Sequence, residues 1–375
     1  MTALAEDSKI TTTEKTETSA KNLLTVICFS KDRPFQVRKV GKRGKMYCNC
    51  KLEVGDNKKQ TNKRNGERRN DTANEGKYVY KVLYTFSEAK YEKCYEKIKA
   101  AFPKIEFVVE REKKFASDLL SLLSNVKTPY VCFHVDDMFF YRSLDLDSIC
   151  KMLDDDNSKI FAFFPKLNSQ INFCHPANEK APTPTFFRKP IYPGLLSWMP
   201  RMCVSDWCYL FDLCGTIYRT GYSNEIWHNG FVQVIHLFLN FIFVCLTGPL
   251  IIVLMNCGKQ SPNRFEVHGN NCVDQIYPGK HMRLFAGCVE DSVMSVITIN
   301  RVQKDYNVPI YSEQELSTEK LLEFFEKDYE LDWSKYADQT FNSVHIGHCF
   351  FCHDKRNLAF GSNTKSDDVS QQKTD

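Results

Sequence analysis

The N-terminal residues lack the apolar run that a secretory signal peptide requires. Residues 1–21 are rich in Thr, Lys and Glu, and a segment of this composition cannot bury enough apolar surface to fold. We therefore expect residues 1–22 to be a disordered tail, and we expect the same of the polar residues 361–375. Because no signal peptide is visible, we expect a cytoplasmic or membrane-associated protein.

The 16 cysteines lack the clustering of a disulfide framework. In a long chain without a secretory signal they indicate mostly free thiols in a reducing compartment. One local group resembles half of a structural zinc site. It comprises His345, His348, Cys349, Cys352 and His353. No second Cys-x-x-Cys appears elsewhere, so zinc is the weaker interpretation, and it competes with another proposed role for His345.

The chain also lacks a strong overall charge, since 375 residues carry a net charge of only +4. One segment is strongly basic: residues 38–77 contain 13 Lys or Arg and 5 Asp or Glu. This segment has few of the interleaved aromatic side chains on which nucleic-acid bases stack. We therefore predict a flexible basic insertion at residues 38–76, and we disfavour nucleic acid as a partner.

Charge is absent altogether from the 33 residues 226–258. Within them, residues 231–255 are long and apolar enough to span a bilayer, for which about 20 residues suffice. Gln233, His236 and Asn240 weaken that prediction. We predict an apolar insertion at residues 229–260. It could be a membrane segment, a buried insertion or translated intron sequence in the gene model.

Strand and helix patterns alternate along the rest of the chain. Apolar runs typical of buried strands occupy residues 23–29, 78–86, 105–109, 130–135 and 160–164. Apolar residues recur at helical spacing in residues 88–102, 114–125, 291–304 and 318–327, and Ser312 and Glu315 offer a capping box near the last. This alternation predicts an α/β fold with a mainly parallel central sheet and helices on both faces.

Two adjacent aspartates, Asp136 and Asp137, end the fourth predicted strand. Carboxylates are costly to bury without a partner, and open α/β folds bind ligands at the carboxyl ends of their strands. Hard divalent cations prefer carboxylate oxygens together with substrate phosphates. The pair therefore predicts a site for a metal ion and a diphosphate, with a solvated acidic turn as the alternative.

Four segments, taken in order, resemble the GT-A nucleotide-sugar glycosyltransferases, and among them the family-2-like enzymes. They are residues 26–36, which contain Arg33-Pro34, the strand ending in Asp136-Asp137, the loop of residues 206–219, and residues 261–266, which end in Glu266. Residues 343–348 offer a fifth. The resemblance spans residues 23–348 and implies a GT-A, Rossmann-like domain over residues 23–360, interrupted by the two insertions. Its acidic pair is similar to the Asp-x-Asp motif of the family without matching it strictly.

The resemblance implies a metal-dependent, hexosyltransferase-like enzyme that moves a sugar from a nucleoside diphosphate sugar to a hydroxyl acceptor, with inversion. A UDP-sugar is the favoured donor. Asp137 and His345 would hold Mn²⁺ or Mg²⁺, and Glu266 would be the catalytic base. To ligate the metal His345 must be neutral, whereas to pair with phosphate it must be cationic. The residues expected to contact the nucleotide sugar are Ser30, Asp32, Arg33, Ser87 and Asp136. The loop expected to face donor and acceptor contains Asp206, Asp212 and Gly215.

An alternative from another class is a catalytically inert relative that binds nucleotide sugars or protein partners. The two proposed halves of the site also constrain the apolar insertion. A single membrane span at residues 231–255 would place Asp137 and Glu266 on opposite sides of the bilayer. If these two carboxylates share one site, the insertion cannot be a simple single span.

Overall fold

The computed structural model describes residues 22–42, 77–111, 114–156, 159–220, 261–276, 284–299, 316–347 and 349–353. The predicted tails, apart from residue 22, lie outside these residues. So do residues 43–76 of the basic insertion, and the apolar stretch 231–255 lies wholly outside them. No helix in the described part of the chain is long and apolar enough to cross a membrane.

Sixteen strands, seven α-helices and two short 3₁₀ helices, Pro200–Met202 and Ser205–Trp207, make up the regular structure of the described residues. The strands are β1 (Leu24–Lys31), β2 (Tyr78–Thr85), β3 (Glu106–Val109), β4 (Tyr130–Val135), β5 (Met138–Phe140), β6 (Ile160–Phe164), β7 (Phe173–Cys174), β8 (Glu179–Lys180), β9 (Phe187–Arg188), β10 (Leu195–Trp198), β11 (Ile217–Arg219), β12 (Phe285–Val289), β13 (Met294–Ile297), β14 (Tyr329–Leu331), β15 (His345–Ile346) and β16 (Phe351–His353). The helices are α1 (Pro34–Lys42), α2 (Ala89–Ala101), α3 (Phe115–Ser124), α4 (Leu146–Asp154), α5 (Pro262–Ile276), α6 (Thr318–Glu326) and α7 (Trp333–Ala337).

A nine-stranded sheet in the order β3-β2-β1-β4-β11-β6-β12-β10-β9 forms the centre of the molecule. Neighbours β1 and β2, β2 and β3, β1 and β4, and β6 and β12 are parallel, while β11 runs antiparallel between β4 and β6. The prediction of a mainly parallel sheet with helices in an α/β fold is therefore confirmed. Because β1 aligns in register with both β2 and β4, the residues that follow these strands reach the same edge of the sheet.

A second sheet of three strands, in the order β15-β13-β5, starts directly after the acidic pair. In its register Val296 of β13 lies opposite both Met138 of β5 and His345 of β15. The amide of Ile297 also donates to the backbone oxygen of Asp137 at 2.9 Å. Main-chain pairing thus brings the C-terminal strand β15 to the neighbourhood of the aspartates, more than 200 residues away in sequence.

The predicted helix at residues 291–304 is wrong over its described part, because residues 294–297 form β13 with all four side chains buried. A fully buried strand shows no alternation of polar and apolar residues, so its periodicity does not distinguish it from a buried helix. Pairing with β5 and β15 satisfies the backbone groups of this segment and decides the outcome.

Helix α6 confirms the prediction at residues 318–327, although its cap differs from the expected one. Ser317 is the N-cap, and its hydroxyl oxygen accepts a hydrogen bond from the amide of Lys320 at 3.2 Å. The predicted capping residues Ser312 and Glu315 lie outside the described residues. A Ser immediately before the first helical residue supplies the acceptor that the free amides of the first turn require.

Helix α1 extends into the predicted basic insertion, since residues 38–42 continue it. Arg38 is buried, and its guanidinium donates to the carbonyl of Phe325 at 2.8 Å and pairs with Asp328 at 3.0 Å. The guanidinium also lies 4.4 Å from the centre of the Phe325 ring. These contacts join the helix that follows Arg33 to the end of α6.

Candidate active site

The two aspartates form the turn between β4 and β5, where Arg33 and Ser30 meet them from the end of β1. Arg33 Nη1 lies 2.7 Å from Asp136 Oδ1 and 3.3 Å from Asp137 Oδ2. Ser30 Oγ donates to Asp136 Oδ2 at 2.7 Å. Both oxygens of Asp136 are therefore bound by protein donors, while Asp137 shares only one oxygen with Arg33.

The other oxygen of Asp137, Oδ1, is buried and has no hydrogen-bond partner among the described residues. Burial raises the pKa of Asp137; the Arg33 guanidinium opposes this rise, and the neighbouring Asp136 adds to it. A buried carboxylate oxygen without a donor or cation costs free energy. Its chemistry matches the oxygen ligands of Mn²⁺ and Mg²⁺, so Asp137 fits the metal that the sequence predicts.

Tyr95 of α2 supports this turn and was not predicted as a site residue. Its hydroxyl lies 2.6 Å from Ser30 Oγ and accepts a hydrogen bond from the amide of Arg33 at 3.2 Å. The sequence places Tyr95 on the buried face of α2, as the structure confirms. A buried helical position indicates packing only. The sequence does not distinguish a tyrosine that merely packs from one whose hydroxyl also orders a neighbouring loop.

Asp32 and Ser87 connect the ends of β1 and β2. Asp32 has a left-handed backbone with φ of 55°, which Asp tolerates better than most residues. Its Oδ1 accepts a hydrogen bond from the amide of Ser87 at 2.7 Å. The two predicted nucleotide contacts thus lie together at the sheet edge, and one carboxylate oxygen of Asp32 orders the loop itself.

Glu266 lies at the start of α5 against the loop of residues 211–215. The preceding side chain, Phe265, is fully buried and packs on Phe133 and Phe211 with ring centres 5.7 and 5.2 Å apart. This anchor turns Glu266 toward the loop, where its Oε1 accepts a hydrogen bond from the amide of Leu213 at 3.0 Å. The sequence spacing alone does not reveal this contact.

Asp212, Cys214 and Glu266 present side-chain ligand atoms within 4.8 Å of one another. A metal ion is nevertheless a poor occupant of this group. Both oxygens of Asp212 are used: Oδ1 by the amide of Cys214 at 2.6 Å, and Oδ2 by Thr216 Oγ1 at 2.7 Å and Lys166 Nζ at 3.1 Å. The lysine ammonium already supplies the compensating positive charge that these buried carboxylates require.

The carboxyl group of Glu266 is tuned toward neutral pH. Burial raises the pKa of Glu266 to about 7, with a further contribution from Asp212, while Lys166 and the amide of Leu213 act in the opposite direction. A general base works best when its pKa lies near the operating pH. Perturbed carboxyl groups of this kind are concentrated at functional sites, although ion-pair networks produce them as well.

Gly215 brings the Glu266 loop against the aspartate turn. Its amide donates to the carbonyl of Phe133 at 2.8 Å, and its φ is +82°. A Cβ atom at this position would lie 2.5 Å from the terminal methyl of Met138, the residue after Asp137. The charge of Asp137 also contributes to the raised pKa of Cys214, after burial and closer charges. The structure therefore brings the two acidic clusters together at one edge of the sheet.

We expect Gly215→Ala to destabilise the protein by about 1–2 kcal/mol, because a side chain is strained in a left-handed backbone conformation. The flexible end of Met138 can move away, so the clash should add little. Gly194→Ala is a matched control, since Gly194 has φ of +76° and open space around its Cβ position. Urea denaturation of both variants and of the wild type measures the change in the free energy of unfolding. A loss at Gly215 several times larger than that at Gly194 would show that the side chains of Met138 and Met294 cannot move aside.

Asp206 and His345 lie on the Lys166 side of the site. Burial raises the pKa of Asp206, and the charge of Lys166 opposes that rise. Burial, together with the charges of Lys166 and His175, lowers the pKa of His345 to about 3. The imidazole is therefore neutral, the state that metal ligation requires. Within the described residues, His345 makes no hydrogen bond to Asp137.

Lys166 is the charged residue that sequence analysis missed. It lies two residues beyond the end of β6, and only 6% of its side chain is exposed. The reasoning that singled out Asp136 after β4 applies equally to a polar residue after β6, so the signal was present. Its partner was not visible in the sequence, because Asp212 is 46 residues away.

The alternative zinc site does not assemble from the residues that the structure describes. Among them, Asp212, Cys214 and Glu266 are the only group of three or more His, Cys, Asp or Glu side chains close enough to hold one ion. Cys352 lies on β16 opposite Glu330 of β14. Of the five residues in the predicted zinc group, His348 lies outside the described residues.

Comparison with known proteins gives one informative similarity. No family model matches the chain. The chain is 32% identical over 347 residues to the bifunctional glycosyltransferase pgtA of Dictyostelium discoideum. The match covers 88% of this chain and 39% of that protein, so the chain spans about two-fifths of the length of this relative.

Proposed function

We propose that this chain transfers a sugar from a nucleoside diphosphate sugar to a hydroxyl acceptor, as a GT-A, family-2-like glycosyltransferase. Its homology to a glycosyltransferase supports this class of reaction. One structural observation carries the proposal. The aspartate turn held by Arg33 and the half-buried Glu266 meet at one edge of the sheet through the close contact between Gly215 and Met138.

The aspartate turn is the proposed site for the diphosphate. Asp137 would hold Mn²⁺ or Mg²⁺ through Oδ1, which has no hydrogen-bond partner among the described residues, and the bound ion would neutralise charge on the leaving group. Arg33 keeps Asp136 in place through their ion pair at 2.7 Å. The ends of β1 and β2, with Asp32 and Ser87, form the proposed nucleoside side of the site. A UDP-sugar is the donor that we favour.

Glu266 is the proposed general base. As the acceptor oxygen forms a bond to the anomeric carbon, the bond from that carbon to the diphosphate breaks, and the acceptor proton passes to the Glu266 carboxylate. A pKa of about 7 allows Glu266 to be ionised before the reaction and to retain the proton afterwards. Attack from the side opposite the leaving group inverts the configuration at the anomeric carbon.

Donor hydrolysis by the purified chain tests this proposal. We expect release of nucleoside diphosphate from at least one nucleoside diphosphate sugar, loss of the activity with EDTA, and recovery with Mn²⁺ or Mg²⁺. Titration calorimetry with UDP, GDP and Mn²⁺ provides a parallel measurement of binding. If neither hydrolysis nor metal-dependent nucleotide binding occurs with any donor, the proposed function is wrong.

A catalytically inert, nucleotide-sugar-binding protein is the second candidate, and one contact favours it. Arg33 pairs with both aspartates and so occupies part of the space where a metal ion would be expected. In that case calorimetry would detect nucleotide binding with the same affinity in EDTA and in Mn²⁺. Hydrolysis would then be absent under both conditions.

A further inference from the structure

A single buried ammonium, that of Lys166, lies among the carboxylates on the Glu266 side of the site. Its charge acts on Asp206, Asp212 and Glu266. The ion pair with Asp212 is 3.1 Å long, and only 6% of the lysine and 1% of the aspartate side chain are exposed. A charge so well removed from water acts more strongly on its neighbours than a surface charge does.

The ammonium is held in a fixed position relative to the Glu266 loop. β6 lies between β11 and β12 in the sheet, so the residues just beyond β6 have little freedom to move. Asp212 is bound in turn by the amide of Cys214 and the hydroxyl of Thr216. Lys166 and Asp212 therefore form a rigid pair, with the carboxyl group of Glu266 within 4.8 Å of that of Asp212.

Two carboxylates this close cannot both be ionised in a buried site without a cation beside them. We propose that Lys166 is a positioning residue for the general base: its positive charge offsets that of Asp212 and also acts directly on Glu266, so that the nearby Glu266 carboxyl group can ionise. This inference rests on the proposed role of Glu266. It assigns to Lys166 a function that requires no contact with either substrate.

The charges around Glu266 agree with this assignment. The titratable groups that face it are Asp206, Asp212, Cys214, Tyr218 and Lys166. Burial is the largest cause of the raised pKa of Glu266, Asp212 is the next, and Lys166 is the main opposing influence. Lys166 is also the only cation in this set of described groups.

The test compares Lys166→Met with Lys166→Arg, which keeps the positive charge. We expect the acidic limb of the pH profile of kcat/KM to move upward by roughly one pH unit or more in Lys166→Met, as expected for loss of a nearby opposite charge. The limb should stay in place in Lys166→Arg. Lys189→Met is the control, because Lys189 also pairs with a carboxylate, that of Asp155 at 2.7 Å, in a more exposed ion pair outside the site.

A direct titration separates this inference from the proposed function. The carboxyl carbon of Glu266 can be followed by NMR in protein labelled with δ-¹³C glutamate, with Glu266→Gln identifying the resonance. This measurement requires no turnover, so it decides the role of Lys166 even if the wild-type chain transfers no sugar. A titration midpoint unchanged between wild type and Lys166→Met would overturn the inference.

A second pair of variants covers the case in which Lys166→Met does not fold because Asp212 is left without its cation. Asp212→Asn and the double variant Lys166→Met/Asp212→Asn share the loss of Asp212 and differ only at Lys166. We expect the Glu266 carboxyl group to titrate with a higher midpoint in the double variant than in Asp212→Asn. Equal midpoints in these two proteins would show that the ammonium does not act on Glu266.

Discussion

Asp137→Asn should reduce turnover by roughly 10²–10³-fold while leaving the stability of the protein unchanged or slightly higher. Removing one group that stabilises developing charge typically costs a loss of this size. The amide keeps an oxygen toward Arg33 but removes the charge that would hold a divalent ion. Arg33 retains its shorter contact with Asp136, at 2.7 Å, so the turn should keep its shape.

The stability part of this prediction follows from the pKa of Asp137. Burial raises that pKa, and a carboxyl group whose folded-state pKa is raised destabilises the folded state once the pH exceeds its unfolded value. At neutral pH the substitution removes this cost. A residue retained for packing alone would show the opposite pattern, because its loss would lower stability.

Steady-state hydrolysis and thermal unfolding, both at neutral pH, measure the two effects on the same protein. Asp338→Asn is the matched control, since Asp338 is exposed at the end of α7 and distant in sequence from the acidic turn. Full turnover in Asp137→Asn would rule out the proposed metal site. If Asp137→Asn loses much of its stability as well as its turnover, the role of Asp137 is structural instead.

Glu266→Gln should lower the rate of transfer by roughly 10²–10⁴-fold, the usual contribution of a general base. The glutamine side chain has the same length, and its carbonyl oxygen can accept the hydrogen bond from the amide of Leu213. The loop that carries Gly215 should therefore keep its position. Nucleotide binding, measured by calorimetry, should be unchanged because the proposed diphosphate site lies at the aspartate turn.

The pH dependence distinguishes loss of a base from a local distortion. In the wild type, protonation of Glu266 as the pH falls below about 7 should reduce the rate. The residual activity of Glu266→Gln should lack this acidic limb. Glu96→Gln, at an exposed position on α2, is the control and should retain both the rate and the limb. A Glu266→Gln profile parallel to that of the wild type would contradict the assignment.

The larger strands and helices could be predicted because their signals are local. Five apolar runs predicted strands that the structure contains, and the helical spacing over residues 88–102 predicted α2. The incorrect prediction of a helix where β13 forms also follows from reliance on local signals. When every side chain of a short segment is buried, the local pattern carries no period, and pairing with distant strands determines the conformation.

The candidate site was predictable to the extent that its residues follow strands. Asp32, Ser87 and Asp136 could be proposed because parallel strands deliver their following residues to one edge of the sheet. The partners of those residues could not be proposed in the same way. Tyr95 reaches Ser30 from a helix, and Lys166 reaches Asp212 from another strand end.

The sequence by itself determined the α/β alternation, the acidic turn after β4 and the short motif that ends in Glu266, because each depends on residues next to one another in the chain. Only the tertiary structure decided which charges neutralise one another. Arg33 binds the aspartate turn, whereas Lys166 binds Asp212, and Asp137 Oδ1 is left without a donor among the described residues. The physical reason is that buried charges are stabilised by neighbours in space, and the sheet brings those neighbours from distant parts of the chain.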